Sequence, residues 1–280
     1  MATAVEGPAV AFQASSGSAT HEAVTMKAQY VGDVGDFGKL LLLKCLAACG
    51  FKIGVNWMMT QNDDGSDGVH RNYIGYRGVD CLCCCDTRLL AGIAPLARKP
   101  KERRSIEDLE ALIKTFSPDS VFYKGYFDDF SKRKIRNEEA YEKLNGASID
   151  LIFFDPDNGL SDGPPVSSKH VYLSDLKRCW DEGKSLLVYH HLPQRQFAER
   201  AISSWIEELG KLTGNSVTHF RFRRGTGRVY FLCTQRNHAS RLCKSNGDLM
   251  LDPLLATKAN WARSQRLKRK ICTKNHEWHS

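Results

Sequence analysis

Four consecutive large apolar residues, Leu151 to Phe154, are closed abruptly by Asp155-Pro156-Asp157-Asn158-Gly159. That pattern predicts a strand buried on both faces that stops in a polar turn. The rest of the hydrophobic pattern alternates helix and strand around it. Apolar residues Leu40 to Ala48 predict a helix over 37–49, capped by Asp36 and ended by Gly50. Residues 51–59 read as a strand. Ser105 precedes Ile106, Leu109, Leu112, Ile113 and Phe116 at helical spacing, with Asp108 in the capping-box position. A strand is predicted over 120–127, a helix over 134–145, a helix over 171–180 and a buried strand over 185–189. An amphipathic helix follows over 197–212. Two last strands, 216–222 and 228–234, flank Arg223-Arg224-Gly225-Thr226-Gly227 and read as a hairpin. Alternating strands and helices argue for an α/β fold, Rossmann-like, with a mostly parallel sheet closed by a C-terminal antiparallel hairpin.

The ends of the chain are different. Residues 1–25 are small and polar without periodicity and read as a tail; residues 26–240 hold the α/β domain, and residues 241–280 form a basic tail. Of the formal net charge of +8, most lies beyond Lys258, where Arg266, Lys268, Arg269 and Lys270 cluster. With Trp261 and Trp278 nearby, this suggests a nucleic-acid partner, since phosphate-backbone binding is electrostatic and sequence-independent. A solvated charge run or a localisation signal explains it equally well. The basic hairpin residues Arg221, Arg223, Arg224 and Arg228 read as a nucleic-acid rim or as a charged edge that discourages strand pairing. No apolar run approaches the roughly 20 residues of a membrane helix. Cys81, Cys83, Cys84 and Cys85 lack the paired spacing of a structural zinc site, so no metal site is expected there. The ten cysteines read as reduced thiols of a cytoplasmic or nuclear protein that is not secreted.

Candidate chemistry gathers where strands end. In an open α/β sheet, ligands bind outside the carboxyl ends of the strands, which places Asp155, Asp157, Asn158 and His190 beside a crevice as candidate catalytic residues. The same residues also suit an ordinary turn, because Asp, Pro, Asn and Gly favour turns on their own account. Adjacent His190 and His191 point opposite ways on a strand. At the start of the first helix, Asp33, Asp36 and Lys39 crowd a helix N-terminus that favours anions. Asn56 ends the next strand, and Asp63, Gly65 and Gly68 lie in the acidic loop after it; these are the candidate cofactor-binding residues.

Gly32-Asp33-Val34-Gly35-Asp36-Phe37-Gly38-Lys39, Gly54-Val55-Asn56-Trp57, Phe154-Asp155-Pro156-Asp157-Asn158-Gly159-Leu160 and Tyr189-His190-His191 together resemble a family of largely uncharacterised bacterial and phage proteins, over roughly residues 29–235. More distantly, the layout is similar to class I methyltransferases, in particular the ribosomal-RNA adenine methyltransferases of the RlmJ type. Those place an Asn/Asp-plus-Lys helix before the first strand and Asp-Pro-Pro-aromatic after the fourth. Asp155 and Pro156 match, whereas Asp157 replaces the second proline and Asn158 the aromatic ring. The resemblance implies S-adenosylmethionine as cofactor and methyl transfer to nucleic acid, with Asp36 and Lys39 bordering the cofactor, Asp155 positioning the nucleophile, and Tyr189 or His190 as stacking surface. Two alternatives stand beside it. One is a magnesium-dependent nuclease or phosphohydrolase using Asp33, Asp36, Asp63, Asp64, Asp155, Asp157, His190 and His191. The other is a non-catalytic nucleic-acid-binding protein of the same fold.

Overall fold

The computed structural model describes residues 30–60, 74, 86–127, 129–146, 148–165, 167–192, 197–222 and 227–243. The N-terminal tail and most of the basic C-terminal tail lie outside them. Helix α1 spans Val34–Ala48. It begins three residues before the expected start, because Asp33 and not Asp36 is its N-cap, accepting from the Gly35 and Asp36 amides. Asp36 is thereby drawn into the first turn, where its carboxylate accepts the Gly32 N–H at 2.9 Å. Strand β1, Ile53–Asn56, leads to α2, Thr87–Arg98, and α3, Ile106–Lys114, the latter capped by Ser105. Strand β2, Val121–Tyr123, is followed by α4, Arg133–Asn145, and then β3, Leu151–Phe154.

The chain then makes a short parallel pair, β4 (Gly159–Ser161) and β5 (His170–Tyr172), outside the main sheet. That pairing takes Val171 and Tyr172, so α5 starts later than expected and covers Leu173–Asp181. Strand β6 is Ser185–His191 and α6 is Ala198–Thr213. The hairpin strands β7, Val217–Phe222, and β8, Arg228–Cys233, precede α7, Arg236–Cys243. Helix α7 passes the expected domain end at 240, and its Arg241 is anchored by Asp150 at 2.5 Å.

The main sheet has the order β2-β1-β3-β6-β8-β7. Its first four strands are parallel; β8 runs antiparallel to β6, and β7 antiparallel to β8. Strand alternation sorts the side chains into two apolar layers. Val55, Phe153 and Leu187 pack under α1, α2 and α3, whereas Ile152, Leu186 and Val188 pack under α4, α5 and α6. From β1 the chain goes outward to β2 and returns on the other side of β1 to β3. The carboxyl ends of β1 and β3 are therefore the point where strand order reverses, the usual place for a ligand in such a sheet. Among the described residues, no helix is long and apolar enough to cross a membrane.

The turn after β3 depends on Gly159. Its φ is 107°, and a Cβ there would stand 2.5 Å from His190 Nδ1 and 2.7 Å from His190 Cα. Gly159→Ala is expected to cost about 2 kcal/mol or more, from the left-handed backbone and the collision together. An unchanged midpoint in urea unfolding would refute this account of the turn.

Candidate functional site

At the strand-order reversal, Lys39 reaches across from α1 to the end of β3. Its Nζ lies 2.5 Å from Asp155 Oδ2 and 3.1 Å from Asp36 Oδ1. The Lys39 and Asp155 side chains are each only 10% exposed, so this pair is desolvated. The i,i+3 spacing of Asp36 and Lys39 puts both on one helix face, and burial against the sheet aims that face at Asp155. The ammonium also sits 5.4 Å from the centre of the Trp57 ring. Asp155 Oδ1 has no hydrogen-bond partner among the described residues, so one acceptor position is left over from the Lys39 pair.

A second ion pair closes the other side. Arg228, at the start of β8, donates to Asp33 Oδ2 at 3.0 Å. A Cβ on Gly35 would meet the Arg228 guanidinium at 2.5 Å, so only glycine lets the arginine lie over the first turn of α1. Tyr230, two residues along β8 on the same face, is 2% exposed, and its hydroxyl has no hydrogen-bond partner among the described residues. Its ring packs 5.8 Å from that of Tyr189.

Three carboxylates (Asp33, Asp36, Asp155) thus face two cations (Lys39, Arg228). Burial alone would lower the Lys39 pKa, but the Asp155 and Asp36 charges outweigh it and hold the ammonium above its ordinary value. Burial pushes Asp155 up from the ordinary carboxylate value, against the pull of Lys39. Burial likewise raises Asp33 in spite of Arg228, with the neighbouring Asp36 charge adding to it. The cluster thus counts one more carboxylate than cations, and burial is the main reason that Asp33 and Asp155 are raised.

The two histidines divide as strand geometry requires. His191 faces the ion cluster, its Nδ1 lying 3.4 Å from Tyr189 Oη. His190 turns to the other face, where Nδ1 accepts the Leu160 N–H at 3.0 Å and the ring packs edge-on to Trp205. Burial, followed by the charges of His191 and His170, lowers its pKa to about 4. His190 is therefore a neutral structural acceptor holding β4 against β6. Of the two rings expected as a stacking surface, Tyr189 is buried in the apolar layer, and the half-buried His190 packs against Trp205 and Phe231.

The remaining candidates are spread out. Asp157 lies 3.8 Å from Lys169, and the exposed Asn158 uses its backbone to pair with Lys169 and His191. Asn56 is on the sheet face opposite Asp155; its Oδ1 accepts the Met58 N–H at 3.2 Å, and Met58 takes a left-handed φ of 46°. That turn is why β1 ends at residue 56 and not at 59. Of the basic hairpin residues, Arg228 is committed to Asp33 and Arg221 to Glu199, so neither forms an open rim. Asp63, Asp64, Gly65, Gly68, Arg223, Arg224, Arg266, Lys268, Arg269, Lys270 and the Cys81 to Cys85 cluster lie outside the described residues. Among the described residues, no group of three His, Cys, Asp or Glu side chains is placed to hold a metal ion.

Sequence reasoning missed Arg228 and Tyr230 as parts of this site. The available signal was alternation: Arg228, Tyr230 and Leu232 share a face, and a cation on a buried strand face demands a buried partner.

Removing one member of a buried pair leaves an uncompensated charge. Lys39→Met is expected to cost about 3–5 kcal/mol, and adding Asp155→Leu to recover a large part of it. Urea unfolding of the two variants checks this; a double variant no more stable than the single would sink the pairing argument. His190 supplies a second test. Because its folded pKa lies below the ordinary 6.5, the unfolded chain takes up the proton first as pH falls. The neutral ring therefore contributes roughly 3 kcal/mol above pH 6.5 that is lost between 6.5 and about 4. Burial lowers the pKa of His170, His191, His219 and His238 as well, so the comparison is with His190→Asn, whose stability should fall less steeply there by about one proton. Parallel pH curves would contradict the structural role.

Compared with known proteins, the chain matches no family model and no curated protein sequence.

Proposed function

We propose that this chain is an S-adenosylmethionine-dependent methyltransferase acting on nucleic acid. The observation that carries the reading is the Lys39–Asp155 pair, which joins the helix before β1 to the end of β3 at the strand-order reversal. Its layout is similar to the lysine-bearing helix and acidic strand end of the RlmJ-type enzymes. The parallel strands closed by an antiparallel hairpin agree with the sheet pattern of class I methyltransferases.

The charge balance fits the cofactor. A buried cluster with one carboxylate in excess favours a cationic ligand, and when bound, S-adenosylmethionine supplies an electrophilic methyl group on a positively charged sulfur. Lys39 fixes Asp155 through Oδ2 and leaves Oδ1 to accept a hydrogen bond from the N–H of an attacking amine. That bond orients the nitrogen lone pair. Methyl transfer needs little acid–base help once the nucleophile is aligned, so positioning by Asp155 carries most of what the chain contributes. The basic C-terminal tail supports a nucleic-acid substrate through backbone phosphate attraction.

The magnesium-dependent alternative has less support from the geometry. Asp33, Asp36 and Asp155 already bond to Arg228, Lys39 and backbone amides, so a metal would have to displace these partners.

Calorimetric titration with S-adenosylmethionine tests the proposal. Saturable binding with Kd on the order of micromolar is expected. Asp155→Asn should retain that binding and lose roughly 100-fold or more in methyl transfer to RNA or DNA. No heat with the cofactor, together with a magnesium isotherm abolished by Asp155→Ala, would overturn the reading in favour of phosphodiester hydrolysis. Nucleic-acid binding with neither cofactor binding nor turnover would leave a binding protein.

A further inference from the structure

Residues 98–104, from the end of α2 to the cap of α3, hold five cations, Arg98, Lys99, Lys101, Arg103 and Arg104, against one acid, Glu102. Two of the five are used to fix the turn itself. Lys99 pairs with Asp108 at 2.7 Å, and Arg104, 6% exposed, donates through Nε to the Lys99 carbonyl at 3.1 Å. Arg98, Lys101 and Arg103 are left exposed and pair with no acid among the described residues. The acids that open α3 are already committed, Asp108 to Lys99, and Glu107 and Glu110 to Lys124. With only Glu102 among them, the exposed side chains keep a positive excess on a turn of fixed shape.

Both ends of this turn are tied to the ion cluster. On the α2 side, Ala97 packs on Gly32, the residue before the Asp33 cap, so closely that a Cβ on Gly32 would lie 2.5 Å from the Ala97 nitrogen. Arg98 follows directly. On the α3 side, Glu110 accepts the Trp57 indole N–H at 3.1 Å, and the Trp57 ring lies 5.4 Å from Lys39 Nζ. The basic turn therefore stands beside the strand-order reversal. Like charges crowded on one turn repel one another, and a polyanion relieves that repulsion. Two guanidinium forks and an ammonium suit the evenly spaced phosphates of a nucleic-acid backbone. A membrane surface would call for apolar side chains beside the cations, and the exposed large apolar residues among those described, Ile135 and Phe197, lie on other elements.

We propose that the turn at 98–104 binds the phosphate backbone of a nucleic acid through Arg98, Lys101 and Arg103. The inference rests on the nucleic-acid substrate of the reading above and names a described surface that holds it, whereas Arg221 and Arg228 of the hairpin are engaged in ion pairs. Binding at this turn needs no cofactor, so the two readings can fail separately.

The full-length chain is titrated against a fluorescent RNA hairpin and a fluorescent DNA duplex by anisotropy, over a range of salt concentrations. The triple variant Arg98→Ala, Lys101→Ala and Arg103→Ala should weaken binding roughly tenfold or more and flatten the slope of log affinity against log salt by about two. A control carrying Lys132→Ala, Lys134→Ala and Lys143→Ala removes as many exposed cations at α4, across the sheet, and should change affinity by less than about threefold. Thermal melting establishes that both variants fold; Arg103→Ala alone, expected to lose about threefold, replaces the triple variant if it does not. No binding of either probe, unaltered affinity in the folded turn variant, or an equal loss in the control would each overturn the inference. So would binding to phosphatidylserine vesicles, lost in the turn variant, without binding to either probe. S-adenosylmethionine is titrated in parallel by calorimetry: cofactor binding without nucleic-acid binding sinks the surface alone, and nucleic-acid binding through the turn without cofactor binding sinks the methyltransferase reading alone.

Discussion

The structure depends on an ammonium group that cannot be left alone. Lys39 is buried between helix and sheet, and removing such a charge from water costs several kcal/mol that only close, hydrogen-bonded carboxylates offset. Asp36 comes from its own helix, but Asp155 comes from 116 residues further along the chain. Satisfying Lys39 therefore requires α1 to dock at one position over the sheet, with β3 ending where it does. Arg228 and Asp33 repeat the constraint across 195 residues and bind the antiparallel hairpin to the same helix. The apolar layer would tolerate small slides of α1; the two ion pairs would not.

Period-two alternation then makes one sheet edge into two different environments. Asp155, Tyr189, His191, Arg228 and Tyr230 turn toward α1 and build a charged cluster. Asn56, Phe154 and His190 turn toward α4, α5 and α6, where the surroundings are apolar walls and neutral hydrogen bonds. Neighbours in sequence thus separate completely. Phe154 packs in an apolar layer while Asp155 holds a lysine, and His190 supports β4 while His191 borders the ions.

This separation explains what the sequence made legible and what it did not. The alternation of strands and helices, the buried run Leu151 to Phe154 and the closing hairpin all follow from local pattern, which is why the mixed, mostly parallel architecture could be read. Helix α2 carries its own signal as well, with Leu89, Ile93 and Ala97 on one face behind the Asp86 cap. Element ends were harder. Asp33 and Asp36 are equally good caps on paper, and local hydrogen bonds decided between them: Asp33 accepts the Gly35 and Asp36 amides, whereas Asp36 is held by Gly32 and Lys39. Val171 and Tyr172 have helix-compatible side chains, yet pairing with β4 made them strand. Long-range charge pairing was the least visible, since nothing near Arg228 in the sequence says that its partner is Asp33.

Three local costs meet at this edge, although buried unpaired donors also occur elsewhere, at Nε of Arg133, Arg136 and Arg221. Met58 holds a left-handed backbone without being glycine, the Tyr230 hydroxyl is buried without a partner among the described residues, and the cluster carries more carboxylates than cations. Each works against stability, and a sheet indifferent to ligands would gain by losing all of them. The first two could be relieved by single substitutions, glycine at 58 or phenylalanine at 230, with no rebuilding of the core. Their coincidence at the strand-order reversal supports the proposal that this edge takes a ligand, on grounds independent of any likeness to other proteins.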